Sequence, residues 1–341
     1  MKILSIGELL IRLTVPENLR FTQAKEFNLN VGGSEANVAI ALSQLGYDAS
    51  MLSALPDNDL GNRICDELRQ FNIDISGLKR IGDRIGLYFL EEGSSIRSSR
   101  IIYDRAGSSI NDLTPEEVDW DLVFKDVTHL HWSAITPALS QNTAAVCQYA
   151  VDKAFELGIS ISCDLHFRKN LWNYGKKPVE IIPVLLEKST VVLGDPTTIN
   201  ALTGVTMESQ KYDALEGVDQ LVPDYRNFMK HFPNIQYMSM LLRTVRSANH
   251  HKLKAVMIGD ENAYETASID VDGIKDRIGG GDAYMAGLIF GLSNYNDKEK
   301  ALEFALTLSA MKHTISGDYF RGNLEEIEQA MNATQLGKII R

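Results

Sequence analysis

Strand-like runs and helical patterns alternate along this chain from about residue 113 onward. Apolar runs at 127–134, 159–165 and 190–194 are typical of buried strands, and residues 143–158 carry apolar side chains at helical spacing. A further helix is predicted near 178–188. Strands and helices that alternate in this way build parallel sheets with helices on both faces. We therefore expect an α/β fold with a doubly wound, mostly parallel sheet.

Two β-rich segments interrupt this pattern near the start of the chain. Residues 12–30 are polar and aromatic with no helical period, and residues 84–103 have the form of a hairpin around the turn-rich GSSIRSS. We expect these segments to join as a small β-sheet lid over residues 12–31 and 84–112. The main α/β domain would then comprise residues 1–11, 32–83 and 113–341.

Charge and cysteine content narrow the classes of function. The 341 residues carry 34 Lys and Arg against 45 Asp and Glu, a formal charge of −11, which disfavours nucleic acid or an anionic membrane as a partner. No window approaches the roughly 18 apolar residues of a membrane-spanning helix. Three widely spaced cysteines predict neither a disulfide framework nor a CxxC metal site, so a reducing cytoplasm is expected.

Three consecutive glycines precede an aspartate in the segment IGGGDAY, at Gly279, Gly280, Gly281 and Asp282. A glycine run before a helix lets the backbone approach a ligand and point its amides at an anion such as phosphate. A carboxylate beside such a site can act as a general base that accepts a proton from an attacking hydroxyl. A flexible turn with Asp282 as the helix N-cap explains the spacing equally well.

An earlier segment, VGGSEANVAIALSQLG at 31–46, predicts a helix that begins with Ser34 as its N-cap and ends at Gly46. Together with DRIGGGDAYMAGLIFGL, it resembles the two signatures of the PfkB, or ribokinase-like, carbohydrate kinases. The usual carboxy-terminal form in that family is D-T-x-G-A-G-D-x-F, and the resemblance covers essentially the whole chain. It implies a kinase that uses ATP and Mg²⁺.

The resemblance also assigns roles to individual residues. It implies that Asp282 is the general base, that the amides of Gly279, Gly280 and Gly281 form an anion hole, and that Gly32, Gly33 and Asn37 contact the hydroxyls of the sugar. The residues implied at the nucleotide are Asp195, Arg243, Gly279, Gly281, His313 and Gly317.

Several segments are similar to 2-keto-3-deoxygluconate kinases in particular, among them 86–110, 131–140, 164–172 and 311–318. This likeness implies that Tyr88, Tyr103, Arg105 and Arg168 line the substrate site. A sugar acid carries a carboxylate, and arginine can bind it with two parallel hydrogen bonds. We therefore expect phosphorylation of 2-keto-3-deoxygluconate at its 6-hydroxyl.

The chain departs from the family pattern at several places. The usual N-x-x-E, which organises magnesium through water, is replaced by GDPTT, so that Asp195 is left as a weak water-mediated metal contact and Thr198 carries no charge. His166 stands where relatives tend to have asparagine, and Leu241 replaces a threonine. These changes keep two alternatives open: a kinase of a neutral ketose such as fructose, tagatose or ribose, or a catalytically weak sugar-binding regulatory protein.

The remaining expectations concern assembly and the histidines. The family covers the exposed edge of its lid by pairing lids in a dimer, so a homodimer is expected. His129 and His131 share one face of a strand, but two ligands do not make a zinc site. His250 and His251 are expected in a solvated loop.

Overall fold

A computed structural model describes residues 1–209 and 217–332 of the chain. Residues 206–235 are charged and helix-like in the sequence, and residues 210–216 of this predicted helical stretch lie outside the described residues. The strands are β1 Lys2–Ile6, β2 Leu10–Thr14, β3 Asn28–Gly32, β4 Asp48–Leu55, β5 Ile73–Asp74, β6 Leu78–Arg80, β7 Gly86–Glu91, β8 Arg100–Asp104, β9 His129–Ser133, β10 Ser160–Asp164, β11 Val191–Leu193, β12 Tyr237–Ser247, β13 His250–Ile258, β14 Ala263–Glu265 and β15 Ile269–Asp272. The helices are α1 Ser34–Gln44, α2 Asp59–Gln70, α3 Trp120–Val123, α4 Gln141–Glu156, α5 Pro178–Leu186, α6 Pro196–Thr203, α7 Val222–His231, α8 Gly280–Asn294, α9 Lys298–Lys312 and α10 Leu324–Asn332.

The large sheet has the strand order β14-β13-β12-β11-β10-β9-β1-β4-β5, with β15 paired to β13 and β6 to β4. All pairings from β12 to β5 are parallel, whereas β13, β14 and β15 pair in antiparallel fashion at one edge. After β1 the chain forms β4 on one side, and it later returns to form β9 on the other. The prediction of a doubly wound, mostly parallel sheet is confirmed.

Helices cover both faces of this sheet. Buried apolar side chains of α4 to α7 pack on one face, and those of α1, α2, α8 and α9 pack on the other. Strand residues contribute to the cores on both faces because successive side chains point to opposite sides of the sheet. Leu52 of β4 packs in the core with α4 to α7, and Met51 packs in the core with α1 and α2. The sheet is therefore buried on both sides, which explains why its strands read as continuous apolar runs.

The second sheet is small, with the order β3-β2-β7-β8. Strand β2 pairs in parallel with β7, which joins the two β-rich segments as expected, and β7 forms the predicted antiparallel hairpin with β8. Strand β8 is exposed along its whole length. The division of the chain into a main domain and a lid at 12–31 and 84–112 stays a prediction.

Two local predictions were wrong. Gly33, not Ser34, is the N-cap of α1, and the Ser34 hydroxyl donates instead to Asp282, which lies 248 residues further along the chain. His250 and His251 begin strand β13 and are not in a loop, and His251 is fully buried. In both cases a tertiary contact decides what the local pattern left ambiguous.

Among the described residues no helix is long and apolar enough to cross a bilayer. The three cysteines, Cys65, Cys147 and Cys163, are all buried and none forms a disulfide.

Candidate functional site

Polar side chains, among them the predicted Asp195, gather at the carboxyl edge of the parallel sheet. Glu8 follows β1, Asp164 ends β10, and Asp195 follows β11, so that their side chains come to one side of the fold. Strand β1 lies between β4 and β9, where the order of the strands reverses. Crevices at such a reversal, outside the carboxyl ends of the strands, are the usual ligand sites of doubly wound sheets.

The glycine run forms the entry to helix α8. Gly279 is the N-cap with φ 80°, a left-handed conformation that side-chain-bearing residues rarely adopt. A Cβ on Gly279 would lie 1.9 Å from the carbonyl oxygen of Asp318, so a side chain is excluded by contact as well. Helix α8 therefore begins with its first amides at this edge, and these amides have no carbonyl partner within the helix. This is the geometry of an anion site.

Asp282 lies in the first turn of α8 and is almost fully buried. Its Oδ1 accepts a hydrogen bond of 2.7 Å from Ser34 Oγ, and its Oδ2 accepts one of 2.6 Å from Asn37 Nδ2. Burial raises the pKa of Asp282, although the charge of His166 and these two hydrogen bonds oppose the shift. Asp282 is the third helical residue and not the N-cap, so its carboxylate is free to take part in chemistry.

A cavity of about 220 Å³ opens next to Asp282. The Oδ1 atom of Asn37 is buried and has no hydrogen-bond partner among the described residues, so it is placed to accept from a ligand hydroxyl. Tyr88 contributes its ring and donates its hydroxyl to Asp318 Oδ2 at 2.7 Å. The predicted substrate residues that line this cavity are Gly33, Asn37, Tyr88, Tyr103, Arg105, Arg168 and Asp282. Gly32 lies behind the wall, against Asp318.

A second cavity of about 470 Å³ adjoins the first. Of the residues predicted at the nucleotide, Asp195, Arg243, Gly281 and His313 line it. Gly279 lines the first cavity instead, Gly280 packs against His313, and Gly317 donates its amide to Asp276 Oδ2 at 3.1 Å. Both cavities share four lining residues: His166, Arg168, Arg277 and Gly281. These four residues mark the point where ligands in the two cavities would meet.

A larger cavity of about 690 Å³ lies away from this edge of the sheet, beside the start of β12 and the end of β13. None of the predicted site residues lines it.

The arginines of the site differ in their freedom to bind an anion. Arg105 is buried and its guanidinium is paired with Glu8, to which Nε donates at 2.8 Å. Its charge is therefore already compensated, a fact that the sequence did not reveal. Arg168 and Arg277 have no carboxylate within ion-pair distance among the described residues. They are the cations that remain available at the junction of the two cavities.

Asp195 is the predicted metal contact, and it caps helix α6. Its Oδ1 accepts from the amides of Thr197 and Thr198, each at 3.0 Å, and its Oδ2 accepts from Thr198 Oγ1 at 2.6 Å. A carboxylate oxygen has two lone pairs, so Oδ2 can also accept from a metal-bound water in the second cavity. The side chain thus fits an outer-shell role for magnesium, and Thr198 serves to orient it.

Asp164, His166 and Asp282 form a compact group whose nitrogen and oxygen atoms lie within 4.8 Å of one another. His166 Nε2 is 3.0 Å from Asp164 Oδ2. Magnesium prefers oxygen ligands in octahedral geometry, and both oxygens of Asp282 already accept hydrogen bonds. We therefore interpret this group as an ion-pair cluster and not as a magnesium site.

A second buried ion cluster holds the backbone of the site in place. Arg12, from β2 of the small sheet, pairs with Asp276 through Nη2 at 2.7 Å and with Asp318 through Nε at 3.1 Å. Asp276 Oδ1 also accepts from the amide of Ile278, directly before the glycine run. Arg12 thereby ties the small sheet to the glycine loop.

Sequence reasoning missed several of these residues. Arg277 occupies the threonine position of the family signature, so the departure itself was a signal. Asp318 ends the MKHTISGD segment, which was noted for its likeness but not for this carboxylate. No local pattern marks Glu8 or Arg12, because their partners lie 97 and 264 residues away.

Comparisons with known proteins identify the family and the fold. A family model described as pfkB family carbohydrate kinase matches residues 1–224. The chain is 27% identical over 336 residues, 98% of either chain, to a 2-dehydro-3-deoxygalactonokinase of Haloferax volcanii. It is also 27% identical to a 2-dehydro-3-deoxygluconokinase of Thermoproteus tenax, over 93% of this chain and 89% of that relative. The crystal structure of a 2-dehydro-3-deoxygluconokinase from Thermotoga maritima superposes with a TM-score of 0.91 at 32% identity, over 98% of this chain and 100% of that chain. This chain belongs to the pfkB family of carbohydrate kinases.

Proposed function

We propose that this kinase transfers the γ-phosphate of ATP to the 6-hydroxyl of 2-keto-3-deoxygluconate, with Asp282 as the general base. The observation that carries the proposal is the position of Asp282. It is a buried carboxylate beside a cavity of sugar size, and it directly follows Gly281, which lines both cavities.

Asp282 has the environment that a base requires. Its two hydrogen bonds come from the neutral groups Ser34 and Asn37, which orient the carboxylate without compensating its charge. Burial raises its pKa, and a carboxylate with a raised pKa is a better proton acceptor. The amides of the glycine loop would donate to the oxygens of the phosphoryl group in transit.

The choice of a sugar acid is supported by the free arginines. Arg168 and Arg277 line the cavity without a carboxylate partner among the described residues, whereas Arg105 is compensated by Glu8. A protein of formal charge −11 needs such local cations to hold an anionic substrate. We assign the substrate carboxylate to Arg168, with Arg105 positioning the neighbouring wall.

The second cavity is assigned to ATP, with Arg243 and His313 among its walls. Magnesium would neutralise charge on the nucleotide phosphates, and Asp195 would hold it through water. Asp195 also caps helix α6, and this structural role does not depend on the metal.

A coupled ADP-release assay with a panel of sugars tests the substrate. We expect robust turnover of 2-keto-3-deoxygluconate and little or none of fructose, tagatose or ribose. The galactonate epimer belongs in the panel, because the relative from Haloferax volcanii carries that name. Turnover of a neutral ketose with none of the keto acids would contradict the sugar-acid assignment, and no turnover of any sugar would favour a regulatory binding protein.

We also propose that the small sheet is a lid and that two lids pair in a homodimer. Tyr88 and Tyr103 reach the sugar cavity from this sheet, so its closure would exclude water from the transfer. Ile102 of the outer strand β8 points to the face opposite Tyr103 and is 53% exposed, an apolar side chain that a partner lid would cover.

A further inference from the structure

We propose that His166 is a positioning residue for phosphoryl transfer: its imidazolium, held by Asp164, stabilises the ionised form of Asp282 that accepts the hydroxyl proton. The inference rests on the proposed role of Asp282 as the base. His166 is not among the residues that the sequence signatures assign to the site, and it stands where relatives tend to have asparagine.

The backbone places the His166 ring by a short turn. The amide of His166 donates to the carbonyl of Asp164 at 2.9 Å, a three-residue turn at the end of β10. This turn brings Nε2 to 3.0 Å from Asp164 Oδ2. The same nitrogen lies 3.7 Å from the position that a Cβ on Gly281 would occupy, so the ring faces the first turn of α8.

The cluster needs a positive charge. Asp164 is 3% exposed and Asp282 is 7% exposed, and the three side chains lie within 4.8 Å of one another. Two buried carboxylates this close repel each other unless a cation compensates them. Arginine and lysine side chains do not pair with either carboxylate among the described residues, so His166 is the group that supplies the charge.

The charged and titratable surroundings favour this protonation state. Burial alone would lower the pKa of His166, and the charge of Arg168 acts in the same direction, but the nearby carboxylate of Asp164 outweighs both, with a smaller contribution from Asp282, so the pKa is raised. His131 of β9 is neutral, because burial lowers its pKa to about 3. The other charged or titratable side chains that share a cavity wall with His166 are Tyr88, Tyr103, Arg105, Asp195, Arg243, Arg277, His313 and Asp318.

The consequence is a defined pH dependence. Removal of the imidazolium would raise the pKa of Asp282, because a cation at this distance typically lowers a carboxyl pKa by one unit or more. A base with a higher pKa is protonated over a wider range at low pH, so activity would be lost there. At high pH Asp282 is ionised with or without His166, so the difference in activity between the two proteins should disappear.

The test compares His166→Asn with the parent protein in pH profiles of kcat/KM from pH 5.5 to 9, using whichever sugar gives turnover. We expect the acid limb of the kcat/KM profile of the variant to lie about one pH unit above that of the parent protein, and the two profiles to agree within about threefold at pH 9. The matched control is His250→Asn, a histidine that pairs with Asp270 at 3.1 Å on β13 and β15. A loss for His166→Asn that is equal at all pH values would overturn the proposal.

A second measurement needs neither substrate nor turnover. The proton NMR signal of the His166 ring, identified by its absence from His166→Asn, should titrate with a pKa above the ordinary 6.5, and Asp164→Asn should lower that value. A pKa at or below 6.5 in the intact protein would refute the imidazolium. If the titration is as expected but no sugar is phosphorylated, the proposed function fails and the charge assignment stands.

Discussion

Replacement of Arg12 by methionine should strongly destabilise the protein at neutral pH. Arg12 is 1% exposed and pairs with Asp276 at 2.7 Å and with Asp318 at 3.1 Å, both of which are also buried. Methionine fills much of the space but leaves two buried carboxylates without their cation. Breaking a buried pair by removing one partner costs about 3–5 kcal/mol, and here one arginine serves two carboxylates. We therefore expect a loss of at least about 3 kcal/mol in the free energy of unfolding at pH 7.5.

The loss of stability in Arg12→Met should increase with pH. Burial raises the pKa of Asp318 to about 6, although Arg12 opposes this shift. Relative to the ordinary value of 3.8, a shift of about two units means that the ionised form costs about 3 kcal/mol of stability once the pH exceeds 6. Without Arg12 the folded-state pKa of Asp318 rises further, so the deficit of the variant grows as the pH rises through and above 6. It should be smaller at pH 5, where Asp318 is protonated in both proteins.

Urea unfolding followed by circular dichroism at pH 7.5 and pH 5 measures both effects. The control is Arg84→Met, which removes an exposed ion pair with Asp104 at 2.8 Å and should cost no more than about 1 kcal/mol at either pH. If Arg12→Met costs as little as the control at pH 7.5, the cluster is not buried in the way described. If its cost is the same at both pH values, the account of Asp318 is wrong.

Three further predictions concern the site and the assembly. Asp282→Asn should lower turnover by about 10²- to 10⁴-fold while calorimetry still detects sugar binding, and surviving turnover would exclude Asp282 as the base. Gly279→Ala should lower the free energy of unfolding in urea more than Gly107→Ala. Both glycines have φ above 60°, but only at Gly279 does a carbonyl oxygen lie 1.9 Å from the added Cβ, so equal losses would show that this contact has no effect. Ile102→Asp should shift the mass measured by light scattering toward the monomer, whereas Ile96→Asp, at a fully exposed position outside the sheet, should not. A monomeric parent protein would contradict the dimer.

The sequence predicted the fold well because the fold depends on local periodicity. Buried parallel strands read as apolar runs, and helices between them read as amphipathic segments, so the doubly wound sheet follows from the pattern alone. The second sheet was harder, since β2 and β7 are separated by more than 70 residues, yet the turn-rich GSSIRSS marked its hairpin. The antiparallel edge at β13 was not distinguished from the parallel strands, because single apolar runs carry no direction.

The site was predictable where a residue acts through the backbone or through a motif. Gly33, Asn37 and Asp282, which the two motifs assign to one site, line one cavity although 245 residues separate the last two. Residues that act through a distant partner were not predictable. Serine is a favoured N-cap residue, so the local sequence predicted that role for Ser34. Its hydroxyl instead donates to the Asp282 carboxylate, a distant partner that the local sequence does not reveal. Arg105 could pair equally well with a carboxylate of the substrate or with one of the protein, and nothing in the sequence indicates that Glu8 is its partner.

The distribution of partners among the buried carboxylates explains why we propose Asp282, and not Asp318, as the base. Both line the sugar cavity, and burial raises the pKa of both. Asp318 is paired directly with Arg12 and accepts the Tyr88 hydroxyl, so that its two oxygens are committed to holding the small sheet. A carboxylate in direct contact with a guanidinium resists protonation during the reaction, whereas the donors on Asp282 are a hydroxyl and an amide. Both carboxylates line only the first cavity, but Asp282 directly follows Gly281, which lines both cavities. In the proposed reaction, proton transfer would occur where the sugar hydroxyl meets the phosphate, and of these two carboxylates only Asp282 adjoins Gly281, where the two cavities meet.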